Sequence, residues 1–191
     1  ATEWTISEDG MEYLFTIRDD VYFHPGKFQD GRKMTAEDVA YSLNRSAKES
    51  ALQRLDMLDY AEAVDETHVK AVLKAPSAVF MTALTNIGNG IVPKEEVEGW
   101  GDEFGNHLVG TGPFMMEKFS LDQQTELVKN EKYFLGEPNL DRVVFKVITD
   151  QNQEVNALRT GEIDIAMQIS GESVKLVAED EKINLLKLFM I

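Results

Sequence analysis

Two hydrophobic periods alternate along this chain, and their alternation limits the folds open to it. Tyr13, Phe15 and Ile17 recur at every second position, as do Val69, Ala71 and Leu73, which is the spacing of half-buried strands. Between the two runs, Ala36, Ala40, Leu43 and Ala47 recur at helical spacing and form a small-residue face suited to close packing. A chain that presents strand faces and helix stripes in turn must bury one against the other, so the expected class is mixed α/β.

The punctuation between these runs is specific. Asp9-Gly10 lies between residues 4–6 and 13–17 and predicts a hairpin, because glycine accepts the positive φ of such turns. In "FQDGRKMTAEDVAYSLNRS" Asp30-Gly31 is a turn, Thr35 is an N-cap with Asp38 three residues on, and Met34 with Val39 has the spacing of a hydrophobic staple. Residues 21–24 predict a further strand, 52–63 a second helical stretch, and 77–84 and 94–97 short helices. "FGNHLVGTGPF", residues 104–114, reads as a crossing between two subdomains, 1–107 and 108–191. Beyond it, 114–119 and 126–129 predict a second hairpin and 142–148 a strand. Asp150 and Gly161 then bracket a helix with Val155 and Leu158 facing inward, and "EIDIAM" reads as the strand after it. Ser170 is placed as the cap of a helix running to Val177, and 183–191 as a final strand.

Charge and composition exclude several function classes. The 191 residues carry 19 Lys plus Arg against 34 Asp plus Glu, a net charge of −15, and both halves are acidic, so nucleic acid is not an expected partner. No apolar run approaches the roughly 20 residues of a membrane span, so no membrane insertion is expected. Without cysteine there is neither a disulfide nor thiolate chemistry. The chain opens directly into "ATEWTISEDGMEYLFTIR", which reads as the middle of a domain and predicts a piece of something longer.

The chemical motifs reduce to structural ones. His24, His68 and His107 lack paired ligand spacing, so no metal site is expected. "GNG" at 88–90 and "GTG" at 110–112 fit no phosphate-binding fingerprint and read as tight turns. The pairs Glu37/Asp38 and Glu95/Glu96 point in different directions along a helix and read as solvated charges at helix N-termini. Trp4, Tyr60 and Trp100 read as core aromatics rather than a stacking platform. No nucleophile–base signature is present, so no catalytic residue and no cofactor are expected.

The segment "YLFTIRDDVYFHPGKFQDGRKMTAEDVAYSLNRS" resembles the signature region of the family 5 solute-binding proteins of ABC importers, the oligopeptide-, dipeptide- and nickel-binding group. "VDETHVKAVLKAP", "VGTGPF", and "NEKYFLGEPNLDRVVFKVITD" with "LRTGEIDIA" follow in the family's order across nearly the whole chain. One departure is local: residues 25–29 intrude between Phe-His and Asp-Gly, which predicts a longer loop there.

That resemblance implies a fragment of a two-lobed type II periplasmic-binding-protein fold. Residues 1–107 would be the additional α/β domain of the first lobe, 108–191 the middle part of that lobe, and the opposite lobe would be absent. It also implies capture of peptide or a similar small solute outside the membrane, by hinge closure without catalysis. Delivery would be to the transmembrane subunits of an ABC permease, by a monomer that is periplasmic or a cell-surface lipoprotein. The alternatives are a hydrolase using scattered carboxylates and an acidic protein-interaction module. By the same analogy the cleft-facing residues are Asn86, Gly88, Asn89, Gly90 and Ile91, with Leu52 and Leu55. "TAEDV" is scaffold in this reading.

Overall fold

A computed structural model of the chain describes residues 1–49, 54–167, 169, 171–178 and 180–186. It divides into two compact units, Ala1–Phe119 with Thr125–Val144, and Ser120–Gln124 with Phe145–Ile191.

The first unit is built on an antiparallel sheet of order β1-β2-β4-β3. Strands β1 (Glu3–Ile6) and β2 (Glu12–Thr16) form the hairpin expected at Asp9-Gly10, with Trp4 opposite Phe15 and Ile6 opposite Tyr13. Gly10 takes a φ of 71°, and Asp9 Oδ1 accepts from Ser7 Oγ at 2.6 Å and from Met11 N at 3.0 Å. Strand β4 (His68–Leu73) lies in the interior of the sheet, and Val69, Ala71 and Leu73 are buried on one face as their spacing predicts. Helix α1 (Ala36–Glu49) covers that face, burying Ala36, Ala40 and Leu43 in a core with Tyr13, Phe15, Leu55, Leu58 and Phe80. Its cap is reciprocal: Asp38 N donates to Thr35 Oγ1 at 3.4 Å, and Thr35 N donates to Asp38 Oδ2 at 2.9 Å.

Two expectations fail in this unit. Where a helix was expected over 52–63, strand β3 (Leu58–Ala63) pairs with β4. A register irregularity between Leu58 and Tyr60 leaves Leu58 and Ala61 buried three residues apart, so a bulged strand imitates helical spacing. At this sheet edge, Asn44 of α1 satisfies both backbone groups of Ala61, accepting from its N at 2.8 Å and donating to its O at 2.7 Å. Residues 21–24 make only isolated bridges, Tyr22 with Lys33 and Pro25 with Asp30. The chain turns back at once there, and the backbone N of His24 donates to Gly110 O at 2.8 Å instead of to a strand.

Strands β5 (Phe114–Ser120), β6 (Gln124–Lys129) and β7 (Arg142–Lys146) make a separate three-stranded sheet of order β5-β6-β7, as the second hairpin and following strand predicted. In the second unit, α4 (Gln151–Thr160) begins at Asp150, whose side chain accepts from Gln153 N at 2.9 Å. It ends at Gly161 in the left-handed region, with Val155 buried. Helix α5 (Glu172–Ala178) follows with Val177 buried, while the expected cap Ser170 lies outside the described residues. "EIDIAM" forms no strand: among the described residues no strand pairs with it, and Ile165 and Met167 are exposed. The expected last strand is likewise not formed over 183–186, and 187–191 lie outside the described residues.

Candidate functional site

Helix α2 (Phe80–Leu84) is a short helix held by one anchor. Phe80 is fully buried and meets Tyr13 edge-on, with ring centroids 4.8 Å apart at 62°. After α2 the chain makes a 3-10 turn, Ile87–Asn89, capped by Asn86, whose side chain accepts from Gly88 N at 3.0 Å. Asn89 is buried and donates to Ala83 O at 2.8 Å, returning the loop onto the end of α2. Two serines of α1 fasten the rest. Ser46 Oγ donates to Gly88 O at 3.4 Å, and Ser42 Oγ accepts from Val92 N at 3.0 Å.

This clamped loop forms one side of a cleft of about 660 Å³, within the size range of small-molecule sites. Asn86 and Ile87 line it with Val79, Thr82, Ala83 and Thr85 of the α2 region. Arg54, Asp56 and Met57 line it from the segment before β3. Ile87 is 96% exposed and Val79 60%, so the cleft offers apolar surface to a ligand. The sequence-expected residues separate accordingly. Asn86 lines the cleft, whereas Gly88 and Asn89 are engaged in fixing the loop, Gly90 ends the 3-10 turn and Ile91 is half-buried beyond it. Leu55 is wholly buried in the hydrophobic core, and Leu52 lies outside the described residues. Arg54, Asp56 and Met57 were not singled out by the sequence, because residues between helix and strand carry no period that marks them.

The acidic pairs are corrected by the structure. Glu96, of helix α3 (Lys94–Trp100), has no solvent exposure and accepts from Phe28 N at 2.6 Å, Gln29 N at 3.1 Å and Trp100 Nε1 at 3.0 Å. It is the post around which the longer loop at 25–29 is wound. A Cβ on Gly26 would lie 2.1 Å from Glu96 Oε1, and one on Gly99 would lie 2.5 Å from the Phe28 ring. Asp38 is also buried, receiving two bonds from Arg32 at 2.7 and 2.6 Å, while Arg32 also holds Glu95. The Arg32 bond draws the Glu95 carboxyl below its ordinary range, and the bonds to Asp38 first and to Glu95 second raise the guanidinium's pKa. Only Glu37 of the four is exposed.

The aromatic expectation also needs revision. Trp4 and Tyr60, on edge strands β1 and β3, are 51% and 41% exposed and so lie outside the core. Trp100 is packed, with His107 stacked at 3.5 Å on its ring and Lys27 Nζ 4.3 Å from the ring centre. His24 is buried and donates from Nε2 to Gly112 O at 2.9 Å while Nδ1 accepts from Gly110 N at 3.4 Å, pinning "VGTGPF". Burial lowers its pKa against the opposing pull of the Gly112 carbonyl. His68 pairs with Asp65 at 2.8 Å, and Asp65 is lowered to about 2 by the backbone amide of Thr67 and by His68. Among the described residues, no group of three acidic or histidine side chains could hold a metal, and no helix is long and apolar enough to cross a membrane.

What this arrangement offers is a partly apolar cleft with a few polar groups, suited to non-covalent capture. Comparisons with known proteins agree with it. The family model "Bacterial extracellular solute-binding proteins, family 5 Middle" matches residues 1–188. Di/tripeptide-binding protein 2 of Pseudomonas aeruginosa is 30% identical over 98% of this chain and 39% of its own length. Glutathione-binding protein GsiB of Pectobacterium atrosepticum is 34% identical over 97% of this chain and 36% of its own. The chain thus spans well under half the length of these relatives. Among solved structures, NikZ of Campylobacter jejuni in complex with Ni(L-His) superposes with a TM-score of 0.83 at 29% identity, over 95% of this chain and 36% of that one. The periplasmic binding protein DppA of Helicobacter pylori in complex with peptide STSA gives 0.81 at 29%, over 95% and 40%. Matching one family over nearly its whole length in sequence and in structure, the chain belongs to the bacterial extracellular solute-binding proteins, family 5.

Proposed function

We propose that this chain is part of the capture component of an ABC importer, supplying one wall of a cleft that closes on peptide or a similar small solute outside the membrane. The observation that carries the reading is the clamped loop at Asn86 and Ile87, which with Arg54–Met57 lines a solute-sized cleft in a chain of this family. Residues 1–107 act as the additional domain of the first lobe and 108–191 as its middle part, and the remaining length of a protein like its relatives supplies the opposite lobe. Closure about a hinge, stabilised by ligand contacts on both walls, presents the loaded protein to the permease subunits, and no covalent step occurs. Within the loop, Asn86 and Ile87 face solute, while Gly88, Asn89 and Gly90 shape the backbone that carries them and Ile91 follows half-buried. The protein works as a monomer, free in the periplasm or lipid-anchored at the cell surface.

The test uses the full-length protein purified without denaturation. Native mass spectrometry is expected to release a bound small solute, and X-ray scattering to show compaction when that solute is restored to the stripped protein. A protein that carries no solute and does not compact with any of a panel of di- and tripeptides overturns the reading.

A further inference from the structure

Helix α1 is buried on two faces of different chemistry. Ala36, Ala40 and Leu43 join the core beneath the sheet, whereas Ser42 and Ser46, one turn apart on another face, are 2% and 7% exposed and reach the loop at 86–92. Ser42 Oγ accepts from Val92 N at 3.0 Å and donates to Val92 O at 3.2 Å. Val92 belongs to no helix or strand, so this one hydroxyl supplies the partners that its backbone would otherwise take from water. Ser46 Oγ donates to Gly88 O at 3.4 Å. Ile87 stands out at the cleft, 96% exposed, between Asn86 and the Gly88 that Ser46 holds. Water does not favour an isoleucine in that position, so the backbone has to keep it there.

We propose that Ser42 and Ser46 are positioning residues for capture, holding the loop at 86–92, and with it Asn86 and Ile87, in the arrangement that meets solute before solute arrives. The inference rests on the capture function proposed above and adds the device that prepares one wall of the cleft. Neither serine lines the cleft, so both act on affinity through the loop. A loop ordered in advance costs nothing to order on binding, and a protein whose competent arrangement is only partly populated loses affinity by that fraction. Alanine is a better helix former than serine, so Ser42→Ala and Ser46→Ala leave α1 itself no weaker, and what they remove is the fastening. Ser42 makes two bonds, both shorter than the one from Ser46, and its removal carries the larger effect.

Full-length wild type, both serine variants and Thr35→Ala are compared by hydrogen exchange, and by calorimetry with the tightest-binding member of a panel of di- and tripeptides. Exchange at the amides of 86–92 in the solute-free protein is expected to quicken about tenfold or more in Ser42→Ala, and to slow again once the peptide is bound. Affinity for that peptide should fall about fivefold or more in Ser42→Ala and about twofold or more in Ser46→Ala. Thr35→Ala lowers the melting temperature through the helix cap without touching the loop, so loop exchange and affinity should both stay within about twofold of wild type. A structural role alone would make affinity follow the melting temperature in all three variants. Faster loop exchange with undiminished affinity in both serine variants overturns the inference and leaves capture standing, and so does unchanged loop exchange. Should Ser42→Ala not fold, Ser46→Ala decides on the same two readings. A wild type that binds no member of the panel removes capture and the inference together.

Discussion

The carboxylate of Glu96 accepts three N–H bonds at a point with no solvent exposure, and two of them come from the backbone of the loop at 25–29. Truncating it removes the acceptor of three N–H groups at a point that the Glu96 side chain itself fills without solvent exposure. Glu96→Ala is therefore expected to cost about 3 kcal/mol in urea unfolding, whereas Glu95→Ala, at a half-exposed pair, costs about 1 kcal/mol or less. Equal effects would return Glu96 to the solvated class that its place in the sequence suggested. His24 gives the second prediction at this scale. Its folded pKa lies below the ordinary 6.5, so between the two values the unfolded chain binds more protons than the folded one. The stability from the neutral, bonded imidazole is complete above about pH 6.5 and is lost as pH falls toward the lowered folded value. Acidification also relieves the repulsion within a −15 chain, so the histidine is isolated by comparison. The melting temperature of His24→Gln should fall less between about pH 7 and about pH 5 than that of the wild type. Parallel curves would mean that His24 contributes nothing in that range.

Among the elements, α1 and α2 depend on different forces. Helix α1 begins with a capping box, and Thr35→Ala removes the oxygen that accepts from Asp38 N, which should cost about 1 kcal/mol. Solute affinity of the full-length protein should not change, because the cap lies outside the cleft lining; a large affinity loss at unchanged stability would make "TAEDV" part of the site. Helix α2 has five residues and no side-chain cap, and it stays in place through Phe80 packed on Tyr13. Phe80→Ala should cost about 3–5 kcal/mol through the cavity it leaves, and it should also weaken solute binding by displacing Thr82 and Ala83 in the cleft wall. Denaturant unfolding and calorimetry on the same samples separate the two effects. Strand β3 shows how an element can be misread: its bulge puts Leu58 and Ala61 three residues apart, and pairing with β4 decides the conformation that the local spacing leaves ambiguous.

For the whole molecule, the comparison that matters is between these 191 residues and the full-length protein. A cleft closed from two sides buries a solute on both, so the chain alone is expected to bind the solute released from the full-length protein at least about a hundredfold more weakly, a difference of about 2.7 kcal/mol. Comparable affinities in the same buffer would place the site wholly within this chain and remove the need for a second wall. Much of the architecture is written locally. The Asp9-Gly10 hairpin, the Thr35 and Asp150 caps, the Gly161 stop and the alternating Val69, Ala71 and Leu73 each depend on neighbours a few positions away, and the order of the family's motifs named the family. Of the loop residues 86–91 that the resemblance pointed to, Asn86 alone among those expected lies in the cleft lining, beside Ile87. Its companions in the lining were not legible. Whether a charge is solvated like Glu37, buried like Glu96 or set in the cleft wall like Arg54 depends on what distant segments bring to it. Whether Leu55 lies in the core and Arg54 beside it in the cleft depends on how the segment before β3 packs. Turns and caps obey short-range sterics and hydrogen bonding, so the sequence determined them by itself, whereas burial and the meeting of side chains across dozens of residues exist only once the chain has packed, and tertiary structure alone decided them.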